Sequence, residues 1–193
     1  NEVYALPDTQ SYQVMFYRTD ILEELNIKIP ETWDEVISAM AALKKNNLEF
    51  GIPLGTNTYT TLLFQKGKSF YNEDLTETAV TDYDSLRAFE TCCSWFTEYK
   101  CPISYDGLQR FRTGEMPILI AGFEMYNNID ILAPEIKGLW GMTMIPGTPR
   151  EDGSLDRSVA IGGTYSAILK DDNIDASWEF LKWWTSAETQ LRY

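Results

Sequence analysis

Apolar positions along this chain follow two periods in turn. Residues 12–17, Tyr-Gln-Val-Met-Phe-Tyr, are rich in aromatic and branched side chains, which predicts a buried strand. "ILEELN" at 21–26 follows as a short helix that Thr19 or Asp20 can cap and Asn26 can end. Beyond Pro30, Thr32 and Glu35 have capping-box spacing. Trp33, Val36, Ile37, Met40 and Leu43 then recur at the helical period up to Lys44 and Lys45. "FGIPLG" at 50–55 predicts a short strand, and residues 56–67 a loop that enters another helix. A polar, irregular stretch covers 72–82, after which Leu86, Phe89, Cys93 and Phe96 mark one face of a long helix. Residues 108–115 predict a shorter helix closed by Gly114 as a left-handed cap. Residues 116–122 predict a buried strand, 125–132 a helical stretch, 139–145 a strand and 146–156 a turn-rich loop. A strand at 165–170 and a helix at 175–191, broken at Thr185, close the pattern. Strands and helices in alternation predict an α/β fold.

Length and charge narrow the function classes. A chain of 193 residues can bury a sizeable core. Sixteen basic against 29 acidic residues give a net charge of −13, which repels nucleic acid and anionic membrane, so neither is an expected partner. Histidine is absent, which removes Ser-His and Cys-His nucleophiles and His-rich zinc sites. Cys92, Cys93 and Cys101 are expected as small buried apolar residues, although one disulfide to Cys101 stays geometrically open. No cofactor is expected. No run of about 18 apolar residues exists to span a membrane. The chain has neither an initiator methionine nor a signal-peptide pattern, and is expected to be a fragment of a longer protein.

Several strings, in order along the chain, resemble one family. Tyr17-Arg18-Thr19-Asp20 followed by Pro30-Glu31-Thr32-Trp33-Asp34-Glu35 resembles the family's "YNKDL … PKTWDEL". Phe111 to Ile118, Trp140-Gly141 through Ile145-Pro146-Gly147, Gly162-Gly163 to Ile168, and Asp175 to Trp184 match further family strings. The family is that of extracellular solute-binding proteins of bacterial ABC importers, of the sugar-binding, maltose-binding-protein-like kind. The resemblance implies two α/β lobes joined by crossing strands that close on a ligand. The fold it implies for this chain is a periplasmic-binding-protein-like type II lobe, a mixed sheet flanked by helices. Residues 1–157 would form the hinge strand and part of the C-terminal lobe, and 158–193 the return crossing with a strand and helix of the N-terminal lobe. It further implies a saccharide ligand, delivery to the importer's membrane subunits, no catalysis, and an extracellular or periplasmic setting for a secreted lipoprotein parent.

A sugar site needs flat aromatic faces plus amides, carboxylates and hydroxyls, and such groups are expected in loops at a lobe edge. "LPDTQSY" offers Asp8, Gln10 and Tyr12, with a solvated turn as the plain alternative. "GTNTYTT" offers Asn57 and Tyr59, where the family places a ligand-contacting aromatic; a helix-capping loop is the alternative. "AGFEMYNNID" resembles the family's "NGPWAWSNID", whose tryptophans stack on sugar. Glu124 and Tyr126 stand at those two places, which suits a carboxylate bonded to sugar hydroxyls or, alternatively, a cationic ligand. Gly163 and Thr164 mark the return crossing, where glycine admits close backbone approach or a strand bulge. Trp33, Trp95, Trp178 and Trp184 are expected in the core. The rival functions are a glycosidase using paired carboxylates and the binding of a non-sugar polar solute.

Overall fold

A computed structural model describes residues 4–169 and 173–192. The first strand, β1 (Leu6–Arg18), is twice the expected length, because its first half pairs with a later strand and only its second half is buried. Helix α1 (Thr19–Glu24) starts directly at the corner. Neither Thr19 nor Asp20 caps it: the residue at the cap is Arg18, without a side-chain bond. Arg18 is 7 % exposed and donates from Nε and Nη2 to both carboxylate oxygens of Asp20, at 2.9 and 2.6 Å. Its Nη1 reaches the carbonyls of Phe111 and Arg112, at 3.2 and 3.1 Å. Asn26 ends the helix with a positive φ of 52°. Helix α2 (Trp33–Lys45) carries the full capping box of Thr32 and Glu35, and it buries Val36, Met40 and Leu43 as its periodicity predicts.

The remaining elements are β2 (Phe50–Gly51), α3 (Thr56–Gln65), α4 (Tyr83–Thr97), α5 (Gly107–Thr113), β3 (Ile118–Gly122) and α6 (Met125–Leu132). They are followed by β4 (Trp140–Met144), the short β5 (Thr148–Pro149) and β6 (Leu155–Asp156), β7 (Ile161–Ser166), α7 (Ile174–Trp184) and α8 (Ala187–Gln190). The sheet runs β2-β3-β1-β4, with β7 also pairing to β1. β2 lies parallel to β3, whereas β1 is antiparallel to both β3 and β4, which makes the sheet mixed. Alternation along β1 sends Met15 to one face and Val14 and Phe16 to the other. Met15, Ile118 and Ile120 pack under α2 and Trp95 of α4. Val14, Phe16 and Leu119 pack under Phe111 of α5 and Ile129 of α6. The sheet is thus flanked by helices on both faces, as expected for the α/β class.

The chain divides into two units, Asn1–Ser11 with Ile161–Tyr193 and Tyr12–Ala160. The large unit holds the sheet core. In the small one, Leu181 is the one buried hydrophobic residue among those described. Trp178, expected in a core, is therefore 43 % exposed, because α7 has little apolar surface to pack on. Thr185 caps the end of α7, and Ser186 starts α8 by accepting from the Thr189 amide. β7 begins four residues before the expected strand at 165–170. Backbone pairing with β1 recruits Gly162 and Gly163, which carry no apolar side chain to signal it; Lys170 lies outside the described residues. The expected loop at 146–156 is a small hairpin of β5 and β6, tied by an Arg150–Asp156 ion pair at 2.6 Å.

Helix α4 departs most clearly from the pattern its sequence predicts. Its buried face is Ser85, Ala88, Cys92 and Trp95, one residue before each position of the expected stripe. Small side chains let α3, with Leu62 and Leu63, approach closely. Leu86 and Phe89 are left about half exposed. The Ser85 hydroxyl is fully buried and has no hydrogen-bond partner among the described residues. Ser85→Ala removes an unsatisfied polar atom and adds helix propensity, so its urea midpoint rises, by about 1 kcal/mol of stability.

Candidate functional site

β3 and β1 meet antiparallel with Gly122 opposite Gln13, and β4 brings Met144 opposite Val14. The end of β3 and the entry of β1 into the large unit therefore share one edge of the sheet. Tyr12 projects there from β1, and Phe123 follows β3 directly. Their rings stack at a centroid distance of 5.5 Å and 28° between planes. A backbone bond from the Phe123 amide to the Tyr12 carbonyl, 2.9 Å, fixes the two residues side by side. One helical turn on, Tyr126 stacks on Phe123 at 6.3 Å with only 8° between planes. Tyr126 in turn meets Trp140 edge-on at 5.5 Å, and Trp140 continues to Phe16 and Phe111 in the core. Rings thus run unbroken from the core to the surface. The last three, Tyr126, Phe123 and Tyr12, are each about 40 % exposed.

Glu124 is exposed beside these rings. Its carboxylate lies against Gly122, where a Cβ would run into both carboxylate oxygens. Glycine at the strand end is what allows the acid to fold back along the sheet edge. The result is an exposed aromatic shelf with a carboxylate at its border.

Tyr12 and Tyr126 are thus brought together, with Glu124 beside them. Phe123, which no sequence signal singled out, is the ring that joins them. Asn57 and Tyr59 are not in a loop: α3 already starts at Thr56, so both sit in its first turn. Gly55 at the cap supplies no side-chain bond, and Thr58 bonds back to the Pro53 carbonyl at 2.6 Å instead. Asn57 is exposed, whereas Tyr59 is half-buried edge-on against Phe70 and Phe89, at 6.1 and 5.8 Å. Burial of its ring pushes the Tyr59 hydroxyl pKa up.

The other candidates belong to the small unit. Asp8 and Gln10 lie within β1, not in a turn. The Asp8 carboxylate accepts the indole N–H of Trp184 at 2.7 Å. Thr164 and Thr9 hydroxyls bond across the strands at 2.7 Å. A Cβ at Gly163 would collide with the Thr9 carbonyl, so close strand approach requires glycine there. Gln10 is exposed.

Cys92, Cys93 and Cys101 are free thiols, and burial pushes Cys92 and Cys101 up to about 11, which makes them unreactive. No group of three or more acidic or thiol side chains placed to hold a metal ion occurs among the described residues. None of the described helices is long and apolar enough to cross a membrane.

Residues 1–191 match the family model described as bacterial extracellular solute-binding protein. No curated protein sequence matches the chain. Among solved structures, maltose-bound MalE3 of T. maritima is 21% identical, with a TM-score of 0.79 over 98% of this chain and 52% of its own. The sugar-binding protein MalE of Xanthomonas citri is 20% identical, with a TM-score of 0.79 over 98% and 50%. An ABC transporter solute-binding protein from Thermotoga lettingae, bound with alpha-D-tagatose, is 20% identical, with a TM-score of 0.76 over 98% and 51%. The chain spans about half the length of these structures and shares their fold.

Proposed function

Since the chain belongs to the bacterial extracellular solute-binding protein family, we propose that it contributes one wall of a carbohydrate site and serves sugar uptake through an ABC importer. The observation that carries this reading is the stacked, exposed trio Tyr12, Phe123 and Tyr126 with Glu124 beside it. Aromatic faces cover the C–H faces of a pyranose, and a carboxylate accepts from its hydroxyls. Asn57 adds an amide from the first turn of α3; within the small unit, taken by itself, Asp8, Gln10, Gly163 and Thr164 are further candidate ligand contacts. Tyr59 takes part through its packing on α4, which holds the start of α3 in place. The reading has the chain bind without turning its ligand over, and has its parent work outside the cytoplasm as a secreted lipoprotein. That the matched proteins include maltose- and tagatose-bound structures supports a saccharide as the ligand class.

Saturation-transfer NMR of residues 1–193 with maltose, maltotriose and tagatose tests it at the weak affinities one wall can give. At least one saccharide is expected to show transfer. Phe123→Ala should weaken that binding about tenfold, with the fold intact because the ring is surface-exposed. Absence of transfer from every sugar, a Phe123→Ala protein that binds unchanged, or hydrolysis of maltotriose would each reject the proposal.

A further inference from the structure

Where α7 stops at Thr185 and α8 begins, the small unit carries a cavity of about 310 Å3. Its walls are Trp183, Trp184, Ser186, Glu188, Thr189 and Arg192. Adjacent helical residues point about 100° apart, so two indoles on one cavity form a corner, not a stack. Their rings lie 6.3 Å apart with 48° between planes. Trp183 is 57 % exposed, whereas Trp184 is half-buried and donates its indole N–H to Asp8 at 2.7 Å. The corner is braced from both sides. The Ser186 hydroxyl donates to the Trp183 carbonyl at 2.8 Å and accepts the Thr189 amide at 3.3 Å. Gln190 donates from Nε2 to the Trp184 carbonyl at 2.8 Å. Walls held in this way lose little freedom when a ligand binds.

The polar groups of the same walls decide what fits. Arg192 and Glu188 pair at 2.8 Å with both side chains 78 % exposed, and an ion pair that exposed contributes little to stability. The pair uses one guanidinium nitrogen and one carboxylate oxygen, which leaves donors and an acceptor to meet hydroxyls of a ligand. Because the two charges cancel, the cavity favours neither an anion nor a cation. An apolar ligand would cover four polar side chains without replacing their water. Indole faces beside a donor and an acceptor suit a neutral molecule that has one C–H face and a rim of hydroxyls. The volume lies near the lower bound of ligand pockets, which suits one ring better than a chain. We propose that this corner of α7 and α8 is a second carbohydrate site, which takes one neutral sugar ring. It stands on residues of the small unit alone and does not use the shelf of Tyr12, Phe123 and Tyr126.

Fluorine NMR of residues 1–193 labelled with fluorotryptophan, titrated with glucose, galactose and maltose, tests it. The resonances of Trp183 and Trp184 are expected to shift saturably with at least one sugar, at millimolar midpoints. Those of Trp33 and Trp95 should stay in place. Trp140 touches Tyr126 and so reports on the shelf separately. Trp183→Ala, at an exposed position, should abolish the sugar-dependent shift of Trp184 and leave the response of Trp140 unaltered. Glu188→Gln and Arg192→Gln keep both indoles and should each weaken the site severalfold. A sugar response at Trp140 with none at Trp183 or Trp184 would overturn this inference and keep the shelf. Silence of Trp183 and Trp184 toward every sugar would equally overturn it, as would a Trp184 shift that survives Trp183→Ala or affinities unchanged in both charge variants. Equal binding of cyclohexanol would reduce the corner to a plain apolar cleft, and tighter binding of glucosamine or glucuronate would make it an ion site; either result rejects a neutral sugar.

Discussion

Gln65→Leu is expected to lower the unfolding free energy by about 4 kcal/mol, because one buried amide satisfies four buried or partly buried hydrogen-bonding groups at once. Gln65 is 3 % exposed, and its amide bonds in four directions. Its carbonyl oxygen accepts the indole N–H of Trp33 at 2.7 Å and the hydroxyl of Thr148 at 2.9 Å. Its Nε2 donates to the carbonyls of Pro146 and Ser158, at 3.1 and 3.3 Å. One side chain at the end of α3 thus ties down α2, the β5 hairpin and the chain leaving it. Leucine keeps the volume but takes the partner from all four groups, of which the Pro146 carbonyl lies deepest, and each unsatisfied buried group costs about 1–3 kcal/mol. Urea unfolding of the single variants and of Gln65→Leu with Trp33→Phe should show a coupling energy of about 1 kcal/mol or more between the two sites. A loss under about 1 kcal/mol for Gln65→Leu would mean that water replaces the amide freely.

Arg18→Met is expected to cost about 3 kcal/mol. The guanidinium is almost fully buried and neutralises Asp20, and it also satisfies the two carbonyls that end α5. Methionine takes the side-chain donor from those two carbonyls and from a partly covered carboxylate, the Phe111 carbonyl keeping only the Gly114 amide at 3.2 Å, and removing one member of a buried pair is costlier than the pair is stabilising. Because Asp20 keeps about a third of its side-chain surface in water, the figure is set at the low end of such losses. The hydrogen bonds and charge of Arg18 hold the Asp20 carboxyl below its ordinary value of 3.8. A lowered folded-state pKa contributes stability that is present above pH 3.8 and is lost as pH falls through the depressed value. Asp20→Asn should therefore destabilise at neutral pH, and its difference from the unaltered protein should persist down to about pH 4 and close only below it. A difference that closes near pH 6 would assign the effect to some other group.

Much of the chemistry between neighbours in sequence was legible, though the cap of α1 and the buried stripe of α4 were not. The capping box of Thr32 and Glu35, the lysines that close α2, the left-handed Gly114 and the break at Thr185 all occur as their spacing predicts. So do the buried strand of residues 118–122 and the core face of α2. The site was readable only in part. Glu124 and Tyr126 stood out through resemblance, yet Phe123, directly before them, carried no signal, since a ring after a strand end looks the same whether it packs inward or stacks in water.

The sequence by itself determined the alternation of strands and helices, most of their ends, the membership of an α/β class and a strongly acidic surface, because these follow from periodicity, capping and counting. Only the tertiary structure decided which of two adjacent stripes α4 buries, that Tyr12 and Phe123 stand side by side from strands more than a hundred residues apart, and that Gln65 and Arg18 are hubs. Each of these depends on how closely two distant segments approach, and that distance is fixed by small side chains, sheet register and hydrogen-bond partners far away along the chain.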